Sequence, residues 1–229
     1  MRLCMFHPLE HPMERGWVGR IEDDHVVHLA AQTLQAFFTG GGTAREHAVY
    51  PRAGVRLLAP VLHPPAVRLF DGMRSFAFAN PAAIVGPGVE VSSPSGSEEL
   101  EVHARIAAVL GAEGAIGGYS VLAEWRDPAR PAPKDRDFAL GLGPVVLTAE
   151  DFGPAEPDGT VRLDGAEALR APFAAFDWEE ARRVAADGTT LLPGDLLAGP
   201  PLEAIAASAG SRVEIEVGGI GTLDASVAA

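Results

Sequence analysis

Few side chains in this sequence of 229 residues have the type and spacing to do chemistry. The most suggestive are His103 and Arg105, set two apart in the run Glu99-Leu100-Glu101-Val102-His103-Ala104-Arg105. On a strand that spacing puts both on one face. His103 is a candidate general base, because an unperturbed imidazole titrates near neutral pH; the other reading is a hydrogen-bonded histidine that does no chemistry. The basic charge is almost all arginine, seventeen against the single Lys134. Guanidinium groups grip carboxylates with a planar fork, though codon usage in a GC-rich genome would give the same bias and the same wealth of Ala, Gly and Pro. His7, His11, His25, His28, His47 and His63 are scattered, and only His25 and His28 come close to a ligand spacing, so they read as surface residues. Cys4 stands alone near the start of an apolar strand and reads as a small buried hydrophobe. Its solitude excludes an intrachain disulfide and a cysteine metal cluster. Ser97 and Ser120 have no matching His–Asp arrangement, which argues against a serine hydrolase.

The elements that must hold these residues are mostly strands. Arg2 to Phe6 reads as a strand, Trp17 to Ile21 and Val26 to Leu29 as a hairpin turning at Glu22-Asp23-Asp24, and Ala31 to Phe38 as a helix ended by Gly40-Gly41-Gly42. After Val55 to Pro60, the segment His63-Pro64-Pro65 marks a hinge. This divides the chain into a small N-terminal α+β domain, 1–60, and a larger domain, 61–229. Runs at 75–79, 83–85, 89–91, 102–110, 119–122, 144–148, 160–163 and 213–217 have β character. One clear helix, Trp178 to Ala186, is capped by Asp177. Gly117-Gly118 follows a helix-like stretch, which weakens a phosphate-cradle reading. The fold class is therefore α+β and mostly β. A formal charge of −13 disfavours nucleic acid and anionic membrane as partners. No run approaches eighteen apolar residues and the first residues lack a leader pattern, so a cytoplasmic, reducing location is expected.

Several motifs in register resemble the fumarylacetoacetate hydrolase family. Asn80-Pro81-Ala82-Ala83-Ile84-Val85-Gly86-Pro87-Gly88 is similar to its NPxAIxGPG loop. Ser97-Glu98-Glu99-Leu100 running into Ile106 to Gly111 is similar to its SEELDYELEIAAVIG strand. Gly118-Tyr119-Ser120-Val121 with Trp125 resembles GYTxxNDW; Leu191 to Asp195 and Gly219 to Leu223 resemble LxPGD and GIGxL. The N-terminal part is similar to the family's small domain. The resemblance implies a mixed β-sandwich roll, paired into a homodimer, and chemistry on dioxo or keto acids: C–C hydrolysis, decarboxylation or tautomerisation. It also implies one Mg²⁺ or Ca²⁺ on a carboxylate cluster, which would chelate the keto acid.

The aligned positions depart from that pattern. The two strand glutamates fall on His103 and Arg105, the NDW aspartate on Glu124, and the RDF aspartate on Leu69, with Asp71 nearby. A guanidinium cannot ligate a cation. The family's substrate-binding Lys falls on Arg136, its late GT on Gly199-Pro200, and no lid histidine lies between Phe70 and Phe76. The expectation is a family member without Mg²⁺ or Ca²⁺ and with no other cofactor: a non-catalytic or metal-free protein that binds a small carboxylate or keto acid, or a partner subunit. Arg68, Arg105 and Arg136 would then converge on the old metal volume, or Arg105 would simply pair with Glu124. The alternative is a metal-independent enzyme using His103, Glu124 and these arginines.

Overall fold

The computed structural model describes residues 1–153 and 157–229. The first part carries β1 (Arg2–Pro8), β2 (Trp17–Glu22), β3 (His25–Leu29), α1 (Leu34–Thr39), β4 (Glu46–Pro51) and β5 (Val55–Leu58). Then come β6 (Val67–Gly72), β7 (Ser75–Ala79), β8 (Ile84–Val85), β9 (Val89–Val91), β10 (Glu99–Leu110), β11 (Ile116–Arg126) and β12 (Leu140–Thr148). The last are β13 (Asp158–Leu163), β14 (Ala166–Pro172), α2 (Trp178–Ala186), β15 (Leu196–Ala198), β16 (Ile205–Ser208), β17 (Arg212–Val217) and β18 (Gly221–Val227). A thirteen-stranded sheet runs β4-β3-β2-β1-β12-β11-β10-β15-β6-β7, with β5 on β1, β8 on β12 and β16 on β10. A five-stranded sheet runs β14-β13-β17-β18-β9. The mostly-β, α+β class expected from the sequence is what forms. Segments 1–60 and 61–229 share the larger sheet, since β1 pairs antiparallel with β12 through Leu3 and Val146.

The long hairpin β10–β11 is the spine, and strand alternation decides what each side chain meets. Leu100, Val102, Ala104, Ile106, Ala108 and Leu110 enter one core together with Val121, Ala123 and Trp125. That core extends to Val213, Ile215 and Leu223 of the smaller sheet. Ala107 and Val109 enter a second core with Leu69, Leu122, Leu140 and Leu196. Because both faces are covered along most of this hairpin, charged residues in its middle, Arg105 and Glu124, are buried and need partners.

Local signals hold at the helices. Thr33 Oγ1 accepts the Ala36 N–H to start α1, three residues later than the periodicity alone indicates. Asp177 caps α2 by accepting the Glu180 N–H at 3.0 Å. Cys4 is fully buried, and burial pushes its thiol up to about 12, as suits an inert hydrophobe. Two expectations are corrected. His7 is buried, not on the surface, and its Nδ1 lies 2.9 Å from the Pro8 carbonyl. Gly117-Gly118 lies within β11 after a single 3₁₀ turn, and a Cβ at Gly118 would sit 2.4 Å from the Leu147 carbonyl oxygen. Close strand approach accounts for that glycine. The strands β4 and β14 carry no apolar alternation, being almost wholly exposed, and only pairing with β3 and β13 creates them.

The Leu191 to Asp195 turn locks the end of β10. Gly194 takes φ +91°, its N–H bonds to the Leu110 carbonyl, and the Leu110 N–H bonds to the Asp195 carbonyl. Asp195 Oδ2 accepts from Arg68 Nη1 at 3.0 Å and from the Leu192 N–H at 3.2 Å. Arg68 is buried beneath Phe76 and Phe78, with its guanidinium 5.7 and 5.5 Å from their centroids. Arg68 Nε and Asp195 Oδ1 are buried without partners among the described residues. So incomplete a pair gives little net stabilisation, yet removing one member strands the other charge. Asp195→Ala should lower unfolding free energy by about 3–5 kcal/mol, and Arg68→Met on that background should recover part of it. Urea denaturation of both variants measures this; a double variant no better than the single would refute the stranded charge.

Candidate functional site

Register places the candidate residues. His103 sits opposite Glu124, Glu101 opposite Arg126, and Arg105 opposite Leu122. Glu101, His103 and Arg105 therefore share one face of the hairpin with Glu124 and Arg126. Glu124 and Arg105 are both fully buried there.

Arg105 is satisfied on every nitrogen. Its Nε donates to Glu124 Oε2 at 2.7 Å, and its Nη1 donates to the carbonyls of Phe70 at 2.8 Å and Gly199 at 2.9 Å. Its Nη2 donates to Asp71 Oδ1 at 2.8 Å. The second oxygen of Glu124 accepts from Arg126 Nε at 2.6 Å and from Arg136 Nη1 at 3.4 Å. Arg136 is steadied in turn by Asp135, 2.8 Å from its Nη2. One carboxylate is thus clamped by three guanidinium groups, and the clamp is tied to the backbone of two further segments.

Of the residues singled out by sequence, Arg105, Arg136 and Glu124 come together, and Asp71 joins them. Arg68 does not. It lies on β6 next to Leu69, and alternation sends the two side chains to opposite faces, Leu69 into the second core and Arg68 toward Asp195. The convergence expected of Arg68 is therefore corrected. Arg126 was missed, although its signal was present: it stands two residues after Glu124 on the same strand. Ser97 donates its hydroxyl to Asp127, and Ser120 donates to the Val145 carbonyl at 2.7 Å, so both serines are structural.

His103 Nε2 is buried 3.5 Å from Glu101 Oε2 and makes no hydrogen bond among the described residues. Burial lowers its pKa from 6.5; the Arg126 and Arg105 charges act the same way, against the opposing pull of Glu124 and Glu101. The Asp71 carboxyl is exposed, and what burial it has would raise its pKa. The hydrogen bond and charge of Arg105, with the charges of Arg126 and Arg136, outweigh that and hold it below its ordinary value.

The family model described as fumarylacetoacetate (FAA) hydrolase C-terminal matches residues 55–228. A structure of maleylpyruvate hydrolase from Sphingobium sp. SYK-6 is similar at 22% identity and a TM-score of 0.83, covering 100% of this chain and 99% of that one. A 5-carboxymethyl-2-hydroxymuconate delta-isomerase from Mycobacterium smegmatis gives the same identity, TM-score and coverage. A 2-keto-3-deoxy-D-arabinonate dehydratase complexed with magnesium and 2,5-dioxopentanoate is 18% identical with a TM-score of 0.82, covering 100% and 99%. At these identities the structural likeness is one of fold. No curated protein matches the chain.

Two outcomes test the geometry. Arg105→Ala should destabilise the protein by about 3–5 kcal/mol, because it leaves Glu124 short of a partner and takes a donor from each of two buried carbonyls. Arg126→Ala, at the edge of the clamp, should cost less; equal losses in chemical denaturation would contradict the central place of Arg105. The second concerns pH. Because the pKa of folded His103 is lowered, the unfolded chain binds more protons below its ordinary value, so stability is complete above about 6.5 and falls as the solution is acidified. Urea midpoints measured from about pH 7.5 to about 5.5 should fall for the wild type and stay flatter for His103→Gln.

Proposed function

Because this chain belongs to the fumarylacetoacetate hydrolase family, we propose that it is a member whose metal chemistry has been replaced by an arginine clamp. It would serve as a metal-free binding protein or partner subunit for a small carboxylate or keto acid. The observation that carries this reading is the buried Arg105 guanidinium bonded to Glu124 and to the Phe70 and Gly199 carbonyls. The resemblance puts the ligand positions of the family's dication at Leu69, His103, Arg105 and Glu124. These residues do not fit such an ion. A hard cation takes about six oxygen donors, and here one carboxylate is available with both oxygens already engaged by guanidinium groups. Among the described residues no group of three or more His, Cys, Asp or Glu could hold a metal.

The same clamp supplies what a carboxylate ligand needs. The Asp71 side chain is 64% exposed and occupies Arg105 Nη2, with the Arg126 and Arg136 charges close by. It acts as a tethered carboxylate that a free one can displace, gaining charge-assisted hydrogen bonds without any metal. Glu124 serves here as the counter-ion of three arginines, so proton transfer through it finds no support in this geometry. Pyruvate is a suitable probe, since a maleylpyruvate hydrolase of similar fold was crystallised with manganese and pyruvate.

Calorimetry tests this directly. Pyruvate should bind without Mg²⁺, and Asp71→Asn should tighten it by up to about tenfold, the equivalent of about 1.4 kcal/mol of removed competition. Stoichiometric micromolar Mg²⁺ binding that is lost in Glu124→Ala would overturn the metal-free reading. Pyruvate heats absent from both proteins would overturn the ligand. The family resemblance further supports a homodimer, for which light scattering should return about twice the 23.9 kDa chain mass.

A further inference from the structure

The face of β10–β11 opposite the clamp carries a cavity that the reading above does not use. Its volume is about 380 Å³, within the range of about 300–1,000 Å³ common for small-ligand sites. Ile106 and Tyr119 line it from the sheet; Phe152, Phe173, Phe176 and Trp178 line it from the segments around them. Alternation separates it from the arginines. Ile106 and Tyr119 belong to the core shared with the smaller sheet, whereas Arg105 and Glu124 lie on the other face.

We propose that this cavity is a binding site for an uncharged, planar aromatic molecule of one or two fused rings that carries a hydrogen-bonding group. The first support is shape. The Tyr119 and Phe152 rings lie 4.0 Å apart and 31° from parallel, Tyr119 and Trp178 meet at 5.1 Å and 62°, and Phe176 and Trp178 at 4.8 Å and 81°. Rings set at such varied angles offer both faces and edges to a flat guest, the arrangement aromatic pairs favour. The second is chemistry. Tyr119 is the one ionisable residue among the described lining residues. Burial, assisted by the nearby Glu179 charge, pushes its hydroxyl up to about 12. It is therefore a neutral hydrogen-bonding group at physiological pH, and Glu179 together with the −13 charge of the chain repels anions. The third is access. Ala174 and Ala175 line the cavity and are exposed, while Phe152, Phe176 and Trp178 are only partly buried, so among the described residues the mouth opens between small and aromatic side chains. Leaving that much aromatic surface wet in a concave site is unfavourable unless something covers it.

A matched pair of probes tests the assignment on the full chain. 2-Naphthol is neutral, planar and carries a hydroxyl, and naphthalene-2-sulfonate has the same fused rings with one negative charge. The neutral probe should saturate at one per chain and quench tryptophan emission, and Trp178→Ala, which removes one of the lining rings, should weaken its binding. The sulfonate should bind at least tenfold more weakly. A Cβ added at Gly199 would lie 3.1 Å from Trp178 Cη2 and 3.4 Å from Phe176 Cδ1, so Gly199→Ala narrows the cavity and should weaken the neutral probe about tenfold. Ala175→Trp, at the exposed mouth, tests the same point with little risk to folding. If neither variant alters the affinity, or the sulfonate binds as well as its parent, the proposal fails. If probe binding disappears as the chain self-associates, the face belongs to an interface between copies and the proposal fails equally. Pyruvate binding is read separately, so loss of the clamp reading leaves this result intact.

Discussion

A guanidinium held entirely out of water beside a carboxylate equally out of water sets the terms for the centre of this protein. Arg105 and Glu124 are each fully buried, and their 2.7 Å contact links the two longest strands. Desolvating such a pair costs several kcal/mol per ion, so it persists only where further hydrogen bonds complete both groups. Here they do. The arginine reaches the backbone of β6 and of the segment after β15, and the glutamate draws in Arg126 and Arg136. Strands distant in sequence are thereby tied to one charge.

The surrounding scaffold explains how chemistry can change while the fold stays. The motifs that align with the family are largely turns and close approaches: the Asn80 side chain accepts the Ala82 N–H, and Gly194 bends the chain back onto Leu110. Such positions answer to backbone geometry and are indifferent to what occupies the cleft. Side chains on the inner face of β10 and β11 answer to the charges and carbonyls that packing brings against them. A cation with carboxylates and a guanidinium with carboxylates are two solutions of the same electrostatic problem, since each cancels buried negative charge. This is compatible with relatives named as hydrolase, isomerase and dehydratase at about one-fifth identity on a common fold.

The two faces of the β10–β11 hairpin have also parted in character. One carries the arginine clamp, polar and closed by its own side chains. The other carries an aromatic cavity lined by Tyr119, Phe176 and Trp178. They meet at Gly199, whose carbonyl binds Arg105 and whose backbone borders the cavity. That loop is one physical contact between them, and Phe70, whose carbonyl also accepts from Arg105 and whose ring lies 5.8 Å from that of Phe176, is another.

Much of the fold was legible in the chain itself. Periodicity, turn residues and the Asp177 cap locate the hairpin of β2 and β3, the strand β10 and the helix α2, because each is specified by neighbours in sequence. The i, i+2 spacing of His103 and Arg105 placed them on one face for the same reason. Exposed strands such as β4 and β14 were not legible, since their pairing partners alone define them. Nor was the fate of the charges. Arg68 and Arg105 are the same residue type on two strands of one sheet separated by β15, yet one binds Asp195 and the other Glu124. Arg126 shares a face with Glu124 by its place two residues further along β11, but packing decided that its Nε meets that carboxylate while register set it opposite Glu101. A charged side chain buried between sheets is paired by whatever the packing brings within about 3 Å, and that distance is a property of the tertiary structure.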